Sequence, residues 1–184
     1  ETQPYVYLTL TRGSASARIG VVYRARLEGD ALVDGQELFS TSPPAPTGGP
    51  NITRIQFLPD KSMLVAVGSS GNPGNGMVQR MDGDIGKIIR IRRDGSIPDD
   101  NPFVVSDPNA RPQLWATGVR SLGGFALDGE NQVWSLDIGP QGGDELNLLE
   151  PGGNYGWPLV TWGFDYSGFA LSDQQTAAGF VDPV

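Results

Sequence analysis

Short runs of aliphatic and β-branched residues, each stopped by Gly, Pro, Asp or Asn, recur along the whole chain and leave room for little but strands. They are YVYLTL (5–10), GVVYRARL (20–27), MLVAVG (63–68), GKIIRIR (86–92), QVWSLDI (132–138) and ELNLL (145–149). Runs of this length, bounded by turn formers, are the pattern of strands. No window combines a helical period with end caps, and 26 glycines and 15 prolines in 184 residues keep turns frequent. The expected fold class is all-β.

An internal repeat narrows this expectation. RIQFLPDKSMLVAVGSSG and GGFALDGENQVWSLDIGPQGG share one plan: an apolar strand that ends in Phe, an acidic turn about two residues later, and a second strand that runs into glycines. Phe57 and Phe125 mark its register, 68 positions apart. Each glycine loop is followed by another strand and turn, GKIIRIRRDG and DELNLLEPGG, and the N-terminal YVYLTLTRGS and GVVYRARLEGD repeat the later parts. Three units of this size suit β-propeller blades, with approximate bounds 1–50, 51–112 and 113–184. Closed propellers typically hold about four to eight blades. Three would leave open edges, so the chain is expected to be part of a larger ring or to close against a second copy as a homodimer. A self-contained three-unit sandwich is the alternative. Glu1 is not an initiator Met, which reads as a mature or trimmed chain.

Composition bounds the chemistry. A formal net charge of −8 excludes a nucleic-acid partner, because phosphates call for a basic surface. No segment approaches the ~20 apolar residues of a membrane helix. With no cysteine and no histidine, thiolate and imidazole ligands are absent, so any metal is expected to be hard and oxygen-bound. Two further signals are local. Asn51-Ile52-Thr53 is a glycosylation sequon. Lys87, Arg90, Arg92 and Arg93 form a basic strand, expected to be a solvated edge with Arg90 and Arg92 on one face.

RIQFLPD, GKIIRIRRDGSIPDDNPF, RPQLWATGVRS and IGPQGGDELNLLEPGGNYGWP stand in the order and spacing of the soluble quinoprotein sugar dehydrogenases. From about Tyr5 to Gly168 the chain resembles this glucose/sorbosone dehydrogenase family, which includes the aldose sugar dehydrogenases. The resemblance implies a six-bladed β-propeller of which this chain forms about three blades. It also implies pyrroloquinoline quinone (PQQ) and calcium as cofactors, oxidation of a sugar hydroxyl to a lactone, and a secreted or periplasmic setting.

The resemblance also assigns residues. The carbonyls of Gly139 and Pro140 would hold the calcium that sits on PQQ, with Asp144 near the cofactor. On the residues alone, Gly139–Pro140 is equally a turn between strands. A second, structural calcium would take the Glu145 carboxylate, the Tyr155 carbonyl and Asp165, ten residues further on. Arg120 would stand over the quinone and stabilise negative charge on it; read alone, it is equally a strand-end ion pair. The pattern frays around Arg120, where Val119, Ser121, Leu122 and Gly123 replace the family's polar residues, and at Ser69, where an acid often follows Val-Gly. The family's histidine base lies four residues before the arginine matched by Arg54; here that position is Pro50, and no other histidine replaces it. These departures leave an alternative function open: a non-catalytic, calcium-stabilised propeller that binds a glycan or a protein.

Overall fold

The computed structural model describes residues 4–45, 51–69 and 76–184. Pro50 lies outside them. Three antiparallel sheets follow one another along the chain. The first is β1 (Tyr5–Ser14), β2 (Ala17–Glu28) and β3 (Ala31–Ser40), paired in that order. The second is β4 (Ile52–Phe57), β5 (Ser62–Val67), β6 (Lys87–Arg92) and β7 (Leu114–Thr117). A single helical turn, α1 (Phe103–Ser106), interrupts the connection from β6 to β7. The third sheet is β8 (Leu122–Leu127), β9 (Val133–Asp137) and β10 (Glu145–Leu149). β4 and β8 lie against each other, and β1 and β2 reach β4. First strands brought together in this way are the inner strands of neighbouring propeller blades. Among the described residues no helix is long and apolar enough to cross a membrane.

The middle sheet explains the unbroken apolar runs. Side chains alternate between the faces of a strand, so β5 and β6 feed two cores at once. Leu64, Ala66 and Ile88 pack toward the third sheet with Trp115, Leu122, Val133 and Tyr155. Met63, Val65, Val67, Ile89 and Ile91 pack toward the first sheet with Val22 and Leu114. A strand covered on both faces needs no polar alternation, and β5 is buried along its full length. Each large side chain removed from water in this way contributes about 1.5–3 kcal/mol.

The repeat is real, but its register differs from the phenylalanine spacing. In the β4–β5 turn, Leu58 N–H donates to Ser62 O, and Lys61 adopts φ 69°. In the β8–β9 turn, Asp128 N–H donates to Gln132 O, and Asn131 adopts φ 64°. Phe57 therefore corresponds to Leu127, and Phe125 lies inside β8 rather than at its end. Turn geometry sets the register, whereas a shared aromatic can move two positions and stay on the same face.

The basic strand is not an edge. β6 sits between β5 and β7, Lys87 is fully buried, and only 12% of the Arg90 side chain is exposed. Arg90 is matched by Asp60 at 2.5 Å and Asp100 at 2.9 Å, while the Lys87 ammonium group donates to the carbonyls of Val78 and Ile85. Burial alone would raise the Asp60 carboxyl, but Ser62 and Arg90 hold it down at about 2. The charges are tolerated inside because each has a partner.

Candidate functional site

The site is built where β7 runs past its last sheet partner. Thr117 and Gly118 pair with the 153–157 loop: Thr117 N–H donates to Gly153 O, Tyr155 N–H to Thr117 O and Trp157 N–H to Gly118 O, each at 2.9 Å. Gly118 has φ 77°, and a Cβ there would come within 2.2 Å of Asn154 Oδ1. Glycine is the residue that admits both the conformation and the approach. Opposite, Gln79 and Asn154 exchange side-chain hydrogen bonds, and Gln79 also donates to Trp157 O at 2.7 Å. The loop is thereby held from two sides.

Beyond Gly118 the chain turns through Val119, Arg120 and Ser121 into β8. Asp137, at the end of β9, receives this turn: its Oδ2 accepts Arg120 N–H at 2.7 Å and its Oδ1 accepts Ser121 N–H at 2.5 Å. Ile138 N–H donates to Ser121 O, and Ser69 N–H donates to Arg120 O. The Arg120 side chain then folds back over the same strand end. Nη1 donates to Ile138 O at 2.6 Å and Gly139 O at 3.0 Å, and Nη2 to the Tyr166 hydroxyl at 3.2 Å. The guanidinium lies 5.5 Å from the centroid of the Trp157 ring, whose Nε1–H donates to Ser69 Oγ. Arg120 is buried, and its Nε has no partner.

Glu145 closes the narrow cavity that Arg120, Asp137, Gly139, Trp157 and Thr161 line. It stands opposite Asp137 in the β9–β10 ladder, and Asn147 stands opposite Ser135. Burial pushes the Glu145 carboxyl up to about 7; the Asn147 amide opposes this and the Asp137 carboxylate adds to it. Burial also raises Asp137, against the N–H groups of Arg120 and Ser121 and the Arg120 charge. Ser135 Oγ and Asn147 Oδ1 are buried without partners. The cavity is thus lined by two carboxyl groups and one guanidinium, and the two unpartnered oxygens lie beside it in the β9–β10 ladder.

The structure brings together Arg120, Gly139 and Glu145 from the sequence-predicted set. Asp144 is exposed and accepts Gly139 N–H at 2.8 Å, which closes the 139–144 loop. Pro140 packs toward Gly163. Asp165 turns its Oδ1 onto the N–H groups of Ser167 and Phe169 within its own turn. The Tyr155 hydroxyl donates to Leu148 O and accepts Glu150 N–H, and burial pushes it up to about 12. Among the described residues no group of three or more Asp, Glu, His or Cys side chains is placed to hold a metal. The donor set beside Glu145 suits a hard cation, with a carboxylate and two unpartnered neutral oxygens. The Gly139 carbonyl accepts from Arg120 Nη1 at this end of the cavity. Asp137, Trp157 and Tyr166 were not singled out from the sequence. Asp137 carried the one usable signal, an acid closing an otherwise apolar strand.

Aldose sugar dehydrogenase YliI of Escherichia coli is 36% identical over 177 residues, covering 94% of this chain and 46% of its own length. The crystal structure of the soluble aldose sugar dehydrogenase of Escherichia coli in the apo-form aligns with TM-score 0.89 at 32% identity, over 97% of this chain and 52% of that one. The PQQ-bound form of aldose sugar dehydrogenase from Streptomyces coelicolor aligns with TM-score 0.64 at 28% identity, over 97% and 47%. The chain thus spans about half the length of the relatives it matches. Residues 1–184 match the family model for Glucose / Sorbosone dehydrogenase, with Arg120, Asp137, Gly139 and Glu145 all inside the match. With its three sheets aligned to propeller relatives and its whole length covered by that model, the chain belongs to the glucose/sorbosone dehydrogenase family.

Proposed function

We propose that the chain forms part of a PQQ- and calcium-dependent aldose dehydrogenase that oxidises a sugar hydroxyl to a lactone. The observation that supports it most is the Arg120 site: a buried guanidinium over an aromatic ring, beside a glycine carbonyl and two carboxyl groups. The family match and the PQQ-bound relative supply the cofactor class.

When bound, the quinone supplies the two-electron acceptor that no side chain of this protein can provide. The residues have separate tasks. Asp137 fixes the backbone of Arg120 through two adjacent N–H groups, so the guanidinium is preorganised. That charge would favour an anionic oxygen placed against it. Trp157 screens one face from water. Glu145, with Asn147 and Ser135, would hold a calcium ion that ties β9 to β10. The proton leaving the sugar hydroxyl is taken by a group other than an imidazole of this chain, which has none.

The test is reconstitution. The protein is mixed with PQQ and calcium, quinone binding is followed by tryptophan fluorescence, and dye reduction is followed with a panel of aldoses. Saturable quinone binding together with sugar-dependent dye reduction is expected. Absence of both rejects the proposal; quinone binding without turnover would restrict this chain to the cofactor-holding part.

A further inference from the structure

We propose that the groove between the first two sheets binds an acidic oligosaccharide, with Arg24 and Arg93 meeting its carboxylates and Tyr5 and Phe57 its sugar rings. The groove is separate from the Arg120 cavity. Gly68 N–H donates to Asn51 O and Ser69 N–H to Arg120 O, so the Arg120 turn sits where β4 begins, whereas Phe57 is the last residue of β4. The length of that strand, about 20 Å, lies between them.

The register of β1 and β2 builds the groove. Tyr5 stands opposite Arg26 and Tyr7 opposite Arg24, so two tyrosines and two arginines share one face. Phe57 and Arg93 face them from the second sheet, and the space between is about 880 Å³. The Arg93 carbonyl ties the two sheets together: it accepts from the Tyr7 hydroxyl at 3.2 Å and from Arg24 Nη1 at 2.8 Å. Tyr7 also meets Phe57 edge-on, with 5.0 Å between ring centroids. A space of this size takes several ring-sized units rather than one small anion.

Charge selects the occupant. The chain carries a net charge of −8, yet this groove is lined by three arginines and no acid. At the same end, the groove between the second and third sheets is lined by Asp60 and Glu150 and by no cation, so the basic lining belongs to this groove and not to the fold. Glu28 and Asp34 neutralise Arg26. Arg24 is held by neutral groups: the Arg93 carbonyl, the Gln36 amide and the Tyr5 ring at 4.4 Å. The exposed Arg93 guanidinium lies 5.1 Å over the Phe57 ring and forms no ion pair among the described residues. Asp94, next in the chain, turns its Oδ1 onto the Ser96 N–H and hydroxyl. Arg24 and Arg93 are thus left for carboxylates, each beside an exposed ring. An acidic peptide fits less well. Extended peptides dock through main-chain hydrogen bonds, and on this face the β1 and β2 backbones are already paired with each other. Sugar rings need no backbone partner, taking apolar contact from Tyr5 and Phe57 and hydrogen bonds from the tyrosine hydroxyls.

The experiment is calorimetry in calcium-free buffer with trigalacturonate, and with maltotriose and hexaglutamate as neutral-sugar and acidic-peptide controls. Trigalacturonate is expected to bind saturably, and each control at least about tenfold more weakly. Arg93→Gln keeps the carbonyl that joins the sheets and removes a guanidinium that meets only a ring among the described residues. The variant should fold as the wild type does and bind trigalacturonate at least about tenfold more weakly. No binding by the wild type, unchanged binding by Arg93→Gln, or a control that binds as tightly as trigalacturonate overturns the proposal. If Arg93→Gln fails to fold by thermal melting, the wild type decides. Its affinity for trigalacturonate should then fall as salt rises, because salt screens exposed ion pairs. Binding that is indifferent to salt overturns the proposal.

Discussion

Glu145 on β10 stands directly across the ladder from Asp137 on β9, which puts two carboxyl groups on one buried face. Opposed residues of an antiparallel pair share a face, and like charges so placed are destabilising. Burial, with Asp137 adding to it, lifts Glu145 from its ordinary 4.5 to about 7. A carboxyl raised in the folded state contributes stability that is full below 4.5 and is lost as pH rises through about 7. Glu145→Gln is therefore expected to stabilise the calcium-free protein above pH 7, by about 1–2 kcal/mol once solvent screening is allowed for, and to change little in acid. Urea unfolding with chelator, at pH values on both sides of that window, checks it. In the wild type, calcium should recover the same stability at high pH.

Gly118 is the tightest joint between β7 and the 153–157 loop. Gly118→Ala combines a φ of 77° with a Cβ 2.2 Å from Asn154 Oδ1 and 2.7 Å from Gly156 N. Neither backbone can yield without breaking the Thr117 and Trp157 hydrogen bonds. A loss of about 2–4 kcal/mol is expected, read as a lower thermal midpoint. Trp157 would shift as well, so its fluorescence should change in the folded variant.

Arg111 neutralises Asp84, a carboxylate with no exposed surface that also accepts from Ser42 N–H and the Gln113 amide. Arg111→Met removes the ion-pair partner and leaves Ser42 N–H and the Gln113 amide as hydrogen-bond donors to that buried charge. Removing one member of such a pair costs about 3–5 kcal/mol. Chemical denaturation should show the loss, and Asp84→Asn in the same background should recover part of it.

The all-β character and the strand–turn–strand unit were legible because alternation and turn residues are local signals. β3 was not, since Asp34 and Glu37 interrupt its apolar pattern and it is held by bulged pairing to β2. Lys87 and Arg90 misled for the opposite reason. Their burial depends on carbonyls of the 78–85 segment and on Asp60 and Asp100, which are brought to β6 only by the fold. At the site, the residue types Arg120, Gly139 and Glu145 were readable, but their relationship was not. No spacing rule reveals that the arginine would seat itself on the carbonyl expected to face calcium. Asp137 could be noticed as an acid closing an apolar strand, but its task could not be read, because its partners are backbone N–H groups that the fold alone brings to it.

Lys87 gives the remaining prediction. Burial pushes its amine from 10.5 down to about 7, against the pull of Asp84 and Asp82. Above 10.5 the folded and unfolded chains both hold it neutral. As pH falls from 10.5 toward 7, the unfolded chain takes up a proton that the folded one refuses, so stability drops; below about 7 both are charged and the loss is complete. The slope within the window approaches about 1.4 kcal/mol per pH unit. Lys87→Met should flatten it, even though the Val78 and Ile85 carbonyls lose their donor and absolute stability shifts by about 1–3 kcal/mol. Urea midpoints followed across that window for both proteins decide the matter. Parallel pH profiles would mean that the Lys87 amine titrates alike in the folded and unfolded chains.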